Sequence, residues 1–317
     1  MTALSAWSEK VSVVVPVFNS AGSLPLLAER VDRALKALGW DYELILVDDG
    51  SSDGSGGVIQ MLAAKSAKVR GMLLMRNYGQ HNALLCAIRA ARFEIIVTLD
   101  DDLQHPPEEI PKLLQKLGEG YDVVYGTPEK EPHGFWRGLA SRVTKLALQS
   151  AMGVKTARGV SAFRTFRRDV REAFVNYQGP FVSIDVLLTW GTARFAAIPV
   201  RHAPRTIGQS NYTFRKLLRH ALNMMTGFST MPLKLASLLG FVLTFFGAVI
   251  LLFVVGRYLV QGASVPGFPF LASIIAIFSG AQLFTLGVIG EYLARMHFRM
   301  MDRPTYVVRS TTFPITR

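Results

Sequence analysis

From Leu235 to Gly256 the chain carries no charged residue, and after the lone Arg257 it carries none again from Tyr258 to Gly290. About 20 apolar residues cross the hydrocarbon core of a bilayer. The simplest reading is two membrane-spanning helices at roughly 235–256 and 269–290. Gly262, Pro266, Gly267 and Pro269 punctuate the gap and suit a short turn. A buried helical hairpin in a soluble protein is the alternative. The charges around the two runs favour the membrane. Arg215, Lys216, Arg219, His220 and Lys234 precede the first, and Arg295, His297, Arg299 and Arg303 follow the second. By the positive-inside rule both termini are expected in the cytoplasm. That distribution also answers for the net charge of +12, so nucleic acid is not an expected partner. Met1–Lys10 lacks the basic start and apolar run of a secretory signal, and the single Cys86 excludes an internal disulfide.

The chain divides into four expected parts: a cytoplasmic domain at 1–210, a juxtamembrane helix at 211–233, the hairpin at 234–294 and a cytoplasmic tail at 295–317. In the first part, runs of β-formers at Val11–Val17, Tyr42–Val47, Val69–Met75, Glu94–Leu99 and Asp122–Tyr125 alternate with helical patterns near 23–38, 56–67, 79–91 and 107–118. Such alternation predicts an α/β domain, a mostly parallel sheet with helices on both faces. Further on, the pattern predicts helices near 135–152, 168–176 and 183–190, a segment around Ser161–Phe166 and a strand near 194–200. In 212–228, Leu217, Leu218, Ala221, Leu222 and Met225 share one helical face, with the basic residues largely elsewhere. This amphipathic helix lies in the lipid interface, packs on the domain, or does both.

Ligands of open α/β sheets bind beyond the C-terminal ends of the strands, and two acidic clusters fall there. Asp48-Asp49-Gly50-Ser51-Ser52-Asp53 follows the second strand, although these residue types also make ordinary turns and caps. Asp100-Asp101-Asp102-Leu103-Gln104 follows the fourth. Three adjacent carboxylates repel one another and call for a cation or for solvent. Mg²⁺ takes one or two carboxylates together with substrate phosphates. If the segment stays extended, Asp100, Asp102 and Gln104 share one side and Asp101 faces away. No Gly-rich loop ends in Lys-Ser or Lys-Thr, and no Gly-x-Gly-x-x-Gly follows the first strand, which argues against a P-loop NTPase and a dehydrogenase.

Val15-Pro16-Val17-Phe18-Asn19, the Asp48–Asp53 run, Arg76-Asn77-Tyr78-Gly79-Gln80-His81 and Asp100–Glu108 together resemble the inverting glycosyltransferase family 2. The likeness extends to its polyprenyl-phosphate branch through Arg205-Thr206-Ile207-Gly208-Gln209-Ser210-Asn211-Tyr212, the two spans and Gly290-Glu291-Tyr292. The resemblance implies a GT-A domain that takes a nucleotide diphosphate sugar, a UDP-sugar favoured, and delivers the sugar to polyprenyl phosphate at a bacterial inner membrane. It places Pro16, Phe18, Ser20, Leu46, Asp48, Asp100 and Asp101 at the donor, and Asp100, Asp102 and Gln104 around Mg²⁺ or Mn²⁺. It places Arg137, Arg164, Arg205 and Ser210 near the acceptor phosphate, with Asp102 and Arg205 the expected catalytic pair. Membrane lipids are implied partners, and a homo-oligomer is compatible. Five residues depart from the family pattern: Ser20 in place of a common Glu, Thr127 and Pro128 where an Arg is frequent, Arg158 where many relatives carry Asp, and Asp101 in place of a small residue. Transfer to a neutral lipid hydroxyl and a non-catalytic binding protein are the rival readings.

Overall fold

The computed structural model describes residues 9–128, 159–179, 181–203, 230–261 and 267–314. Val11–Val17 is nearly all Val, a residue whose branched Cβ favours the pleated backbone, and it lies inside the first strand, β1 (Lys10–Val17). The following strands are β2 (Asp41–Asp48), β3 (Val69–Leu74), β4 (Ile95–Thr98), β5 (Val123–Pro128), β6 (Arg164–Arg167), β7 (Phe195–Val200) and β8 (Val308–Thr311). They form one sheet in the order β7-β5-β6-β4-β1-β2-β3-β8. β4, β1, β2 and β3 pair in parallel, as do β5 and β7, while β6 runs antiparallel between β4 and β5.

Helices α1 (Leu24–Ala37), α2 (Ser55–Lys65), α3 (Gln80–Ala90), α4 (Ile110–Gly118) and α5 (Ile184–Gly191) connect the strands. Alternation along β1 and β2 sends Val13, Val15, Leu44 and Leu46 into the core under α1, α2 and α4. Val14, Ile45 and Val47 enter the opposite core under α3 and α5. Both faces are therefore covered, as parallel strands require. The helix expected near 168–176 is only a 3₁₀ segment, Arg168–Ala173, and the expected helix at 135–152 lies outside the described residues.

The two uncharged runs lie in α6 (Met231–Gln261) and α7 (Phe268–Met300), longer at each end than the runs themselves. Both are long and apolar enough to cross a membrane, and their side chains, Phe241 and Leu252 among them, are exposed rather than packed in a core. Gly247 lies where an added Cβ would sit 2.7 Å from the ring of Phe278, so the hairpin closes over a small residue.

No strand is expected in the tail, yet β8 adds antiparallel to the free edge of β3. Thr312 N–H donates to the Gly71 carbonyl at 3.0 Å, and Gly71 N–H donates to the Thr312 hydroxyl at 2.8 Å. Phe313 covers the Arg70 guanidinium at 3.8 Å, and Tyr306 lies beside Arg89. The chain beyond the hairpin thus returns to the sheet and covers an edge that would otherwise be open to pairing.

Candidate active site

Three loops meet at the C-terminal ends of β1, β2 and β4. The β2 loop is built from its own short polar residues. Asp48 accepts from Ser51 N–H at 3.0 Å. Asp53 accepts from Ser55 and from Ala21 N–H, and Ser51 accepts from Asn19 N–H at 3.0 Å. Most of this Asp/Ser cluster therefore fixes the β1 loop, the turn-forming role such residues commonly have. Gly50, at φ +73°, is obligatory because a Cβ there would lie 2.6 Å from the Arg76 backbone. Asp49 is buried and fixes the chain that enters α3, accepting from Tyr78 N–H at 2.7 Å and Gly79 N–H at 2.8 Å. Burial, outweighing those bonds, raises its carboxyl above the ordinary range.

Pro16, Leu46 and Asp48 are buried on adjacent strands, while Phe18 is 46% exposed at the mouth of the site. The Ser20 hydroxyl donates to the Phe18 carbonyl at 3.2 Å within the β1 loop that faces Asp101. Asp101 accepts from Phe18 N–H at 3.1 Å. The expected strand alternation does not reach these residues. β4 ends at Thr98, and the acidic loop turns through Leu103 at φ +59°, a left-handed conformation rare for leucine. Asp101 consequently faces the β1 loop because the chain bends, not because a strand pleats.

Asp100 accepts from the Gln80 side-chain amide at 2.7 Å, and Asp102 accepts from Gln104 N–H at 3.1 Å. Burial and then the charges of Asp102 and Asp101 push Asp100 up to about 7, against the opposing pull of Arg164 and Gln80. Carboxylates held together at that cost suit a divalent cation. Among the described residues no three acidic, His or Cys groups converge into a full cage. Two carboxylates completed by substrate phosphates are the usual Mg²⁺ arrangement, and Asp100 and Asp102 fit it.

Arg164 is expected at an acceptor phosphate, yet it lies buried on β6 behind Asp100. Its guanidinium pairs with Asp185 of α5 and donates to the Thr98 hydroxyl at 3.1 Å. It meets the acidic loop through charge, from inside the protein. Thr127 donates to the Ile198 carbonyl at 3.2 Å, closing the β5–β7 end of the sheet. Arg137, Arg158, Arg205 and Ser210 lie outside the described residues. The chain leading to Arg205 is anchored, since Ala203 N–H donates to the Gln104 carbonyl at 2.8 Å and Arg201 pairs with buried Glu109 at 2.6 Å.

Two contributions carry no role in the sequence reading. Gln80 stands in a quoted motif, but only the fold brings it to Asp100. His105 packs against Phe163 and edge-on to His202, and burial lowers its imidazole to about 4.

Residues 12–174 match the family model described as glycosyl transferase family 2. The chain belongs to that family. This family 2 glycosyltransferase is 36% identical, over 95% of its length and 93% of the relative's, to an undecaprenyl-phosphate 4-deoxy-4-formamido-L-arabinose transferase of Klebsiella pneumoniae (strain 342). Its fold resembles that of glucosyl-3-phosphoglycerate synthase from Mycobacterium tuberculosis. The complex of that enzyme with Mn²⁺, UDP-glucose and phosphoglyceric acid aligns at TM-score 0.51 and 20% identity, over 71% of this chain and 79% of that one. The complex with Mn²⁺ and UDP-glucose aligns at TM-score 0.50 and 19% identity, over 71% and 78%.

Proposed function

We propose that this glycosyltransferase moves a sugar from a nucleoside diphosphate, UDP favoured, to a polyprenyl phosphate at the cytoplasmic face of a bacterial inner membrane. One observation carries the reading: a paired-carboxylate loop at the end of β4 and two membrane-length helices belong to the same chain. The full-length relationship to an undecaprenyl-phosphate transferase supports the acceptor, and the Mn²⁺ and UDP-sugar complexes of the structural neighbour support the donor and a divalent ion.

Asp100, Asp102 and Gln104 would hold Mg²⁺ or Mn²⁺, which when bound neutralises charge developing on the leaving diphosphate. Phe18 offers its exposed ring to the nucleotide base, with Pro16, Ser20, Leu46, Asp48 and Asp101 shaping the loops around it. An acceptor phosphate is already anionic, so the protein's task is to align two anions and offset their repulsion rather than to supply a strong base. Arg205, Arg137 and Ser210 are the groups proposed for that phosphate. Arg164, buried against Asp185, is better suited to holding Asp100 in place from behind.

The test is purified full-length protein incubated with a panel of radiolabelled nucleotide sugars and undecaprenyl phosphate. Label in a phosphate-linked lipid, dependent on Mg²⁺ or Mn²⁺, is the expected result. Label in a neutral lipid, or none with any donor, would overturn the reading.

A further inference from the structure

A cavity of about 440 Å³ opens between the end of α7 and the sheet domain. That volume lies within the roughly 300–1,000 Å³ typical of small-molecule sites. One wall comes from the membrane helix and the turn that ends it, with Arg299 and Asp302. The other comes from the catalytic domain, with Glu172 and Asn176 after β6, Tyr177, and Trp190 on the last turn of α5. The Tyr177 and Trp190 rings meet edge-to-face, 5.5 Å apart at 71°. Neither sequence motif nor donor chemistry involves these residues.

The cavity stands apart from the acidic loop. α5 runs from Asp185, which pairs with Arg164 behind Asp100, to Trp190 at the cavity wall. A helix rises about 1.5 Å per residue, so Asp185 and Trp190, five residues apart, are separated by roughly 7.5 Å along its axis.

The charge pattern selects the ligand. A simple anion would meet Arg299 but also two carboxylates, Asp302 and Glu172, the latter in a loose 3.6 Å ion pair with Arg171. A simple cation would meet the carboxylates and the ring faces but also a guanidinium. A molecule with a phosphate and an ammonium a few ångströms apart satisfies both sets: the phosphate on the Arg299 fork, the ammonium on the carboxylates and the aromatic rings. A primary ammonium can also donate hydrogen bonds to Glu172 and Asp302, which a quaternary one cannot.

The position selects the source. Leu293, Met296, Phe298 and Met300 keep large apolar side chains exposed along the last turns of α7, carrying the helix's lipid-compatible surface to the cavity rim. Trp190 is half exposed beside it. An indole exposed next to an apolar helix is the arrangement found at the headgroup level of a bilayer. After Met300 the chain turns away through Asp302 at φ +44°, which puts that carboxylate at the end of the helix.

We propose that this cavity binds the headgroup of an aminophospholipid, with its phosphate on Arg299 and its ammonium on Glu172, Asp302 and the Tyr177–Trp190 pair. Because the two walls belong to the membrane helix and to the catalytic domain, the bound headgroup fixes the height of the sheet above the bilayer.

The test uses full-length protein in detergent, titrated with dihexanoyl phosphatidylethanolamine, dihexanoyl phosphatidylglycerol and free phosphoethanolamine, each followed by native mass spectrometry. Phosphatidylethanolamine should bind saturably and at least tenfold more tightly than either of the others. Arg299→Ala should weaken that binding about tenfold or more, the scale of a lost charge-assisted hydrogen bond. Arg299→Lys should recover part of it. The Glu172→Gln/Asp302→Asn double variant should lose the preference over phosphatidylglycerol. Nucleotide-sugar binding by calorimetry should be unchanged in all of them, which shows the variants are folded. Equal or tighter binding of phosphatidylglycerol overturns the proposal, as does equal binding of free phosphoethanolamine, which would make the ligand a soluble one. Indifference to Arg299→Ala, or no saturable binding, overturns it too.

Discussion

The Gln80 side-chain amide donates to Asp100 at 2.7 Å, joining the first turn of α3 to the acidic loop after β4. α3 is itself anchored, since Asp49 accepts from the two backbone N–H groups that precede it. A carboxylate that burial and neighbouring charge drive toward protonation is thus held in one orientation by a neutral donor on a rigid helix. Gln80→Ala should leave the fold intact but raise the Mn²⁺ or Mg²⁺ concentration needed for half-maximal turnover. One lost hydrogen bond to a charged carboxylate, at about 1.5–3 kcal/mol, corresponds to a roughly ten- to hundredfold increase. The measurement is a metal titration of initial rate for both proteins, and an unchanged midpoint would show that Gln80 does not orient Asp100.

The three adjacent aspartates should separate by function. Asp102→Asn and Asp100→Asn should each lower turnover by roughly 10²- to 10³-fold, the scale of losing a preorganised electrostatic group. Asp101→Ala should be milder in rate but weaken donor binding, because Asp101 accepts from Phe18 N–H and steadies the loop that carries the exposed ring. Kinetics and donor calorimetry on the three variants check this order. An Asp101 variant as inactive as Asp102→Asn would place Asp101 on the reacting groups.

How much of this was legible in the sequence depended on the range of the signal. Val11–Val17 and its companions are visible because strands buried on both faces need nearly continuous apolar runs. The acidic loop was visible as chemistry but not as geometry, since alternation stops with β4 at Thr98 and Leu103 then turns left-handed. β8 is short and polar, and its partner β3 lies more than two hundred residues earlier, so no local pattern marks it. Arg164 reads as a free cation until sheet order brings Asp185 to it. Arg137, Arg205 and Ser210 lie outside the described residues, so the roles proposed for them rest on the family resemblance.

Stability should fall in acid through Glu43, whose side chain is fully buried on β2. Burial by itself would raise its carboxyl, but the Ser12 hydroxyl, the Arg92 N–H and Arg70 together hold it below the ordinary range. A lowered folded value means that the stabilisation is present above the unfolded carboxylate value, near 4.3, and is lost as pH drops through the folded one. Glu43→Gln should cost about 3 kcal/mol, as when one partner of a buried ion pair is removed. It should also flatten the acid limb of the stability curve. Chemical denaturation between pH 3 and 7 tests both, and an unchanged acid limb would assign that limb to other carboxylates.

Removing residues 304–317 should expose the edge of β3, because β8 and the paired hydrogen bonds between Gly71 and Thr312 cover it. An open edge strand invites pairing between chains. The truncated protein should melt at lower temperature and aggregate in detergent, as read by scanning fluorimetry and size-exclusion chromatography. A monodisperse protein with an unchanged midpoint would mean that the strand adds nothing to the sheet.

Arg205 is the sharpest test of the proposed acceptor. Ala203, two residues earlier, is bonded to the carbonyl of Gln104 in the acidic loop. The role proposed for Arg205 is at the space in front of Asp100 and Asp102, where donor and acceptor phosphates would meet. Arg205→Ala should depress acceptor-dependent turnover by about ten- to a hundredfold, the equivalent of roughly 1.5–3 kcal/mol for a charge-assisted contact made in the transition state. Arg205→Lys should recover only part, since an ammonium keeps the charge without the planar fork. Two titrations decide the matter on each variant: nucleotide-sugar binding by calorimetry, and initial rate against undecaprenyl phosphate. Lost donor binding with an unchanged apparent affinity for the acceptor would reassign Arg205 to the donor diphosphate. Donor binding preserved with a collapsed rate keeps it on the lipid-borne phosphate.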